Sequence, residues 1–67
     1  MTPKRFSTVL RQLREAKEMT QADLAKKAKV DQGYISALEA GQKKNPGINV
    51  LKRLARALGV PVTELLE

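Results

Sequence analysis

Apolar residues recur at helical spacing along nearly the whole chain, and no stretch alternates as a strand would. Phe6, Val9, Leu10 and Leu13 form one stripe. Leu24, Ala25, Ala28, Val30, Ile35 and Leu38 follow within eighteen residues that have Asp31 at their joint, a spacing that describes two short helices crossing at a tight turn. Ile48, Leu51, Leu54, Ala55 and Leu58 mark a further helix. A second helix propped outward on a first is the shape that enters a DNA major groove.

The breaks fall where turn chemistry places them. Thr2 before Pro3 reads as an N-cap with proline at the first helical position, which predicts a helix from residue 3 or 4 to 17. Thr20 can accept from the amide of Asp23, whose carboxylate answers the positive end of the helix dipole, so the second helix spans 21–28. Asp31 caps a third, 32–40, and Gly41 stops it in the left-handed conformation. Residues 42–47, QKKNPG, read as a loop because a residue before proline avoids the helical region. Gly59 ends the fourth helix, and Pro61 opens a last short turn carrying Leu65 and Leu66. The expected fold is all-α, a compact single domain over residues 1–67 with five short helices and a helix-turn-helix at about 21–40.

Sixty-seven residues leave room for one core and no deep pocket. The absence of cysteine and histidine removes structural zinc, disulfides and the usual nucleophile–base pairs. The carboxylates Glu15, Glu18 and Asp23 are scattered at helix ends and surfaces without metal-ligand spacing, so catalysis is not implied. No apolar run approaches the roughly 20 residues of a membrane span, and MTPKRF lacks a signal peptide's apolar stretch. A cytoplasmic, nucleoid-associated location is expected, with no cofactor, metal, membrane or small-molecule ligand.

Thirteen Lys and Arg against seven Asp and Glu give a net charge of +6, which suits a polyanion binder and suits a merely solvated surface equally. Placement decides between them. The third helix has no Lys or Arg; Lys43 and Lys44 follow it, while Lys26, Lys27 and Lys29 lie on the polar face and exit of the second helix and read as solvated. Gln32, first in the third helix, has an amide that donates and accepts together, as contact with adenine N6 and N7 requires. Gly33 offers no side chain and either allows close backbone approach or leaves a base pair unread. Tyr34 suits a phosphate through its hydroxyl, or packing over the loop near Lys43; Ser36 can reach phosphate or base, and Ala37 can touch a thymine methyl. With one strong reader, part of the specificity is expected to come from DNA shape.

The text from residue 10 to 60, LRQLREAKEMTQADLAKKAKVDQGYISALEAGQKKNPGINVLKRLARALGV, resembles the Cro and phage-repressor type of helix-turn-helix domain, the XRE-like family. The resemblance rests on Leu10-x-x-Leu13-Arg14, Thr20-Gln21, Ile35-Ser36, Glu39-x-Gly41 and Asn45-Pro46, and it covers nearly the whole chain. It implies sequence-specific binding of double-stranded DNA by a repressor-like regulator, with residues 32–40 in the major groove. Gln32, Gly33, Ser36 and Ala37 then face bases, while Gln21, Tyr34, Lys43, Lys44 and Asn45 face phosphates. It further implies a structural ion pair between Arg14 and Glu39 and a two-fold homodimer, for which Val62 and Leu66 are the candidate contacts and Leu65 the residue assigned to the core.

Three positions depart from the family pattern. Lys29 stands where the family prefers glycine, so it must accept a left-handed backbone or force another turn. Gly47 and Pro61 replace the expected serine or threonine caps. Two other readings remain at this point: a protein-interaction module such as an antitoxin or coactivator-like partner, or the DNA-binding domain of a longer regulator.

Overall fold

The computed structural model describes residues 5–43 and 46–66, without the side chains of Arg5 and Leu66. Five helices follow in order: α1 (Arg5–Ala16), α2 (Gln21–Ala28), α3 (Gln32–Glu39), α4 (Ile48–Leu58) and α5 (Thr63–Leu66). The fold is all-helical over the described residues, as the periodicity predicts. The expected cap Thr2, Pro3 and the loop residues Lys44 and Asn45 lie outside that description. The first and third helices each end one residue earlier than the sequence suggests, because their last residues, Lys17 and Ala40, belong to the turns that close them.

Local chemistry explains where α2 and α3 start. The Thr20 hydroxyl accepts from the Asp23 amide at 3.0 Å, and the Asp23 carboxylate accepts from the Thr20 amide at 2.9 Å, a reciprocal capping box. Asp31 Oδ2 accepts from the amide of Gly33 at 2.9 Å. Gly47 supplies no side chain to the start of α4, which depends on its apolar face instead.

That face joins the core. Leu10, Leu24, Ile35, Leu38, Leu54 and Leu58 are fully buried, and each such side chain contributes about 1.5–3 kcal/mol of transfer free energy. Leu65 is buried with them, which closes α5 onto α1 and α4. α2 is central: it packs against α3 and also against α4, while α1 braces α3.

The four longer helices end alike. Two or three residues past each end, an amide reaches back to the carbonyl five residues earlier: Met19 to Arg14 at 3.1 Å, Val30 to Ala25 at 3.0 Å, Gln42 to Ala37 at 2.9 Å and Val60 to Ala55 at 3.0 Å. The residue in between is left-handed, with φ of 58° at Glu18, 62° at Lys29, 80° at Gly41 and 72° at Gly59. Two of these turns therefore hold a side chain where glycine is unstrained. Met19, Val30 and Val60 pack against the core just beyond, which holds the turns closed.

Lys29 thus takes the left-handed option rather than another turn. Replacement Lys29→Gly is expected to stabilise the domain by up to about 1 kcal/mol, since relief of the side-chain clash exceeds the added freedom of the unfolded chain. Thermal melting of the variant measures this. A lower melting temperature would mean that the strain at Lys29 is smaller than that entropy.

Candidate nucleic-acid interface

Gln32, Gly33 and Ser36 are exposed on one face of α3, while Ile35, Leu38 and Glu39 are buried on the other. Ala37 and Tyr34 are intermediate, and Tyr34 leans on the core with part of its side chain. Packing of Ile35 and Leu38 seats the inner face of the helix, and Asp31 caps its N-terminus.

Gly33 has a local reason as well as an outward one. A Cβ at this position would lie 2.9 Å from Asp31 Oδ2, inside any normal contact. The glycine leaves room for the carboxylate that caps the helix. The structure thus adds to the two readings of the sequence a third, which needs no DNA.

The far end of α3 is held by a buried charge. The side chain of Glu39 is 2% exposed, and that of Arg14 is 11% exposed. Arg14 Nε donates to Glu39 Oε2 at 2.6 Å and Nη2 donates to Oε1 at 3.0 Å, a two-pronged pair from α1 to α3. Arg14 Nη1 donates to the Met19 carbonyl at 2.6 Å, so the guanidinium also fixes the turn into α2. Gln21 Nε2 donates to Glu39 Oε1 at 3.0 Å, and Arg11 Nε stands 4.0 Å from the same oxygen.

The hydrogen bond that Arg14 donates to Glu39, opposed by burial and helped by the carboxylate charges of Glu39 and Glu15, raises the pKa of Arg14. Burial alone would push the Glu39 carboxyl up. The hydrogen bonds from Arg14 and Gln21, with the charges of Arg14 and Arg11, outweigh it and hold the carboxyl below its ordinary 4.5. Asp23 is held below its ordinary 3.8 by its hydrogen bonds with the backbone and hydroxyl of Thr20, which outweigh desolvation, with the charge of Lys26 adding to them.

Both shifts act in one direction. A carboxyl held below its unfolded value takes up its proton at lower pH when folded than when unfolded. The stability it confers is complete above about pH 4.5 and is lost as pH falls through the folded values. Melting temperature is therefore expected to stay level from pH 7 to 5 and to drop below pH 4.5. An acid-insensitive melt would remove Glu39 and Asp23 from the forces holding the fold.

Gln21, expected at a phosphate, has its side-chain nitrogen on Glu39. Its second N–H and its carbonyl remain for a ligand, and the amides of the first turn of α2 are beside it. Lys43 is brought to α3 by its backbone, whose amide reaches the Ala37 carbonyl at 3.4 Å. Its side chain is exposed, as are those of Lys26, Lys27 and Lys29. Lys44 and Asn45, expected at phosphates, lie outside the described residues. Val62 is half-buried against the core, so only part of it is available to a second copy. The side chain of Leu66, the other dimer candidate, lies outside the described residues.

Sequence reasoning did not find Gln21 as a partner of Glu39. Glu18 as a left-handed residue was also missed, although an apolar Met19 directly before the Thr20 cap marks a chain reversal there.

The family model described as Helix-turn-helix, HTH_3, matches residues 10–65. The transcriptional regulator SinR of Bacillus subtilis is 34% identical over 58 residues, covering 87% of this chain and 52% of SinR. The solved structure of the N-terminal DNA binding domain of SinR superimposes with a TM-score of 0.90 at 31% identity, over 96% of this chain and 93% of that domain. The restriction-modification controller protein C.AhdI of Aeromonas hydrophila gives 0.89 at 35% identity, over 94% of each chain. The chain spans about half the length of the first curated relatives it matches. Taken with the propped α3 and its braces, the match from residue 10 to 65 places the chain in the XRE-type helix-turn-helix family of DNA-binding transcriptional regulators.

Proposed function

We propose that this chain binds double-stranded DNA sequence-specifically as the DNA-binding part of a repressor-like transcriptional regulator. The observation that carries the reading is the exposed Gln32–Gly33–Ser36 face on a helix fixed at both ends, by Asp31 and by the buried Glu39. Gln32 reads a base, and Gly33, Ser36 and Ala37 line the groove without strong hydrogen bonding. Gln21, Tyr34, Lys43, Lys44 and Asn45 position the protein on phosphates. No catalytic step is assigned to the chain, and a cytoplasmic, nucleoid-associated location accompanies this reading.

A homodimer suits the dimensions. The longest axis of one copy is 30 Å, short of the roughly 34 Å between half-sites one helical turn apart, so two copies are needed to read a palindrome. Val62 and Leu66, at the C-terminal turn, are the proposed contacts.

Selection of bound duplexes from a random pool tests the reading. A palindrome with half-sites about one turn apart is the expected result. If two or three phosphates are neutralised per copy, log affinity falls with log salt at about −0.9 per contact. Absence of enrichment, or a salt slope near zero, would refute the function. Binding of a protein at the α3 face in place of DNA would favour an interaction module.

A further inference from the structure

Away from α3, an open groove of about 520 Å³ runs between the end of α2 and the middle of α4. Lys27, Ala28 and Lys29 line it from α2 and its exit, and Arg53, Arg56 and Ala57 line it from α4. Arg53 and Arg56 are three apart on α4 and so share a face. They also border a second, smaller hollow with Asn49 and Lys52, which extends the basic surface along the helix. Among the described residues no carboxylate pairs with any of the four cations. The groove lies between α2 and α4, and none of its lining residues belongs to α3. Along α2, Lys27 is about 9 Å from Gln21 at a rise of about 1.5 Å per residue.

We propose that this groove docks an acidic peptide segment of a partner protein, with carboxylates on its two cationic walls and an aliphatic side chain along the methylene stems of those cations. The charge identifies the sign of the ligand, and the arginines favour carboxylates held in two-pronged hydrogen bonds. The apolar part of the lining identifies the class. Ala28 and Ala57 are 3% and 8% exposed, so that part is carried mainly by the methylene stems of Lys27, Lys29, Arg53 and Arg56, which an aliphatic side chain can cover and a sugar-phosphate backbone has nothing to match. The walls stand on two packed helices, whose axes in such packing are about 8–10 Å apart. A single peptide fits such a cleft, whereas duplex DNA offers it a convex ridge. Docking here leaves Gln32 and its face free, so the same copy can hold DNA and the peptide together. The proposal is independent of the DNA reading.

The test is titration of the isotope-labelled chain with a synthetic peptide of repeated Glu-Glu-Leu-Glu units, followed by amide shifts and by fluorescence anisotropy. Shifts are expected at Lys27, Ala28, Lys29, Arg53, Arg56 and Ala57, with no change at Gln21 or Gln32. Arg56→Glu, and separately Arg53→Glu, are expected to weaken peptide binding about tenfold, the equivalent of one lost ion pair of about 1.4 kcal/mol, while Lys26→Glu, an equal charge change outside the groove, alters it less than about twofold. Circular dichroism of these surface variants checks that they fold. Equal weakening by Lys26→Glu would reduce the interaction to net charge and overturn the proposal. So would shifts centred on α3, or groove shifts produced by inorganic phosphate or random duplex DNA but not by the peptide. Loss of specific DNA selection with the groove shifts intact would defeat the DNA reading and leave this one standing.

Discussion

Arg14→Ala is expected to lower the melting temperature by about 12 °C or more, or to leave the chain unfolded near room temperature. Removing one partner of a buried pair costs about 3–5 kcal/mol, because the other charge stays in place without its counterion. Glu39 would keep Gln21 at 3.0 Å and Arg11 at 4.0 Å, the second too exposed to replace a two-pronged partner. The turn at Met19 would lose its guanidinium as well. At 0.05–0.15 kcal/mol per residue a domain of this length holds about 3–10 kcal/mol in all, so the loss is comparable with the whole. Each kilocalorie shifts the melt by about 4–8 °C at this size. An unchanged melting temperature would mean that the pair contributes nothing net. The double replacement Arg14→Met with Glu39→Leu separates stability from positioning. It is expected to melt near the parent, since apolar groups of similar volume replace buried pairs at little cost, and to bind DNA less tightly because Gln21 loses its anchor.

Gln32→Ala is expected to weaken binding to the selected operator by roughly 5- to 150-fold, corresponding to about 1–3 kcal/mol for one bidentate base contact. Binding to random duplex is expected to stay level, because the substitution removes no charge and leaves the phosphate contacts in place. Competition assays at fixed salt measure both. Parallel losses on operator and random DNA would move Gln32 from base to backbone. A small loss on both would place the specificity in DNA shape, with Gln32 a bystander at the surface.

The legible parts of the fold are those set by neighbours in the chain. Thr20, Asp31, Gly41 and Gly59 announce helix ends because capping and left-handed turns are local chemistry. The apolar stripes reveal α1 to α4 for the same reason. The exposure of Gln32 and Ser36 follows from the periodicity that buries Ile35 and Leu38. Glu18 escapes notice because its positive φ is imposed by the reversal between α1 and α2 and by the packing of Met19, not by its own preference.

What joins distant residues is harder to read. The triad of Arg14, Gln21 and Glu39 spans 25 positions, and although the family pattern suggests the ion pair, only the packing of three helices brings Gln21 to it. The basic groove is hidden more deeply. Lys27 and Lys29 look like solvated lysines, and Arg53 and Arg56 look like the polar side of an amphipathic helix, until α2 and α4 set them along one groove.

The close approach of Asp31 to position 33 restricts how this domain can acquire a new operator. Any side chain at 33 brings a Cβ to 2.9 Å from the carboxylate that starts α3, so a gain in reading there begins with a shift of that cap. Ser36 and Ala37 have no such attachment. Descendants with altered specificity are therefore expected to change at 36 and 37 more readily than at 33.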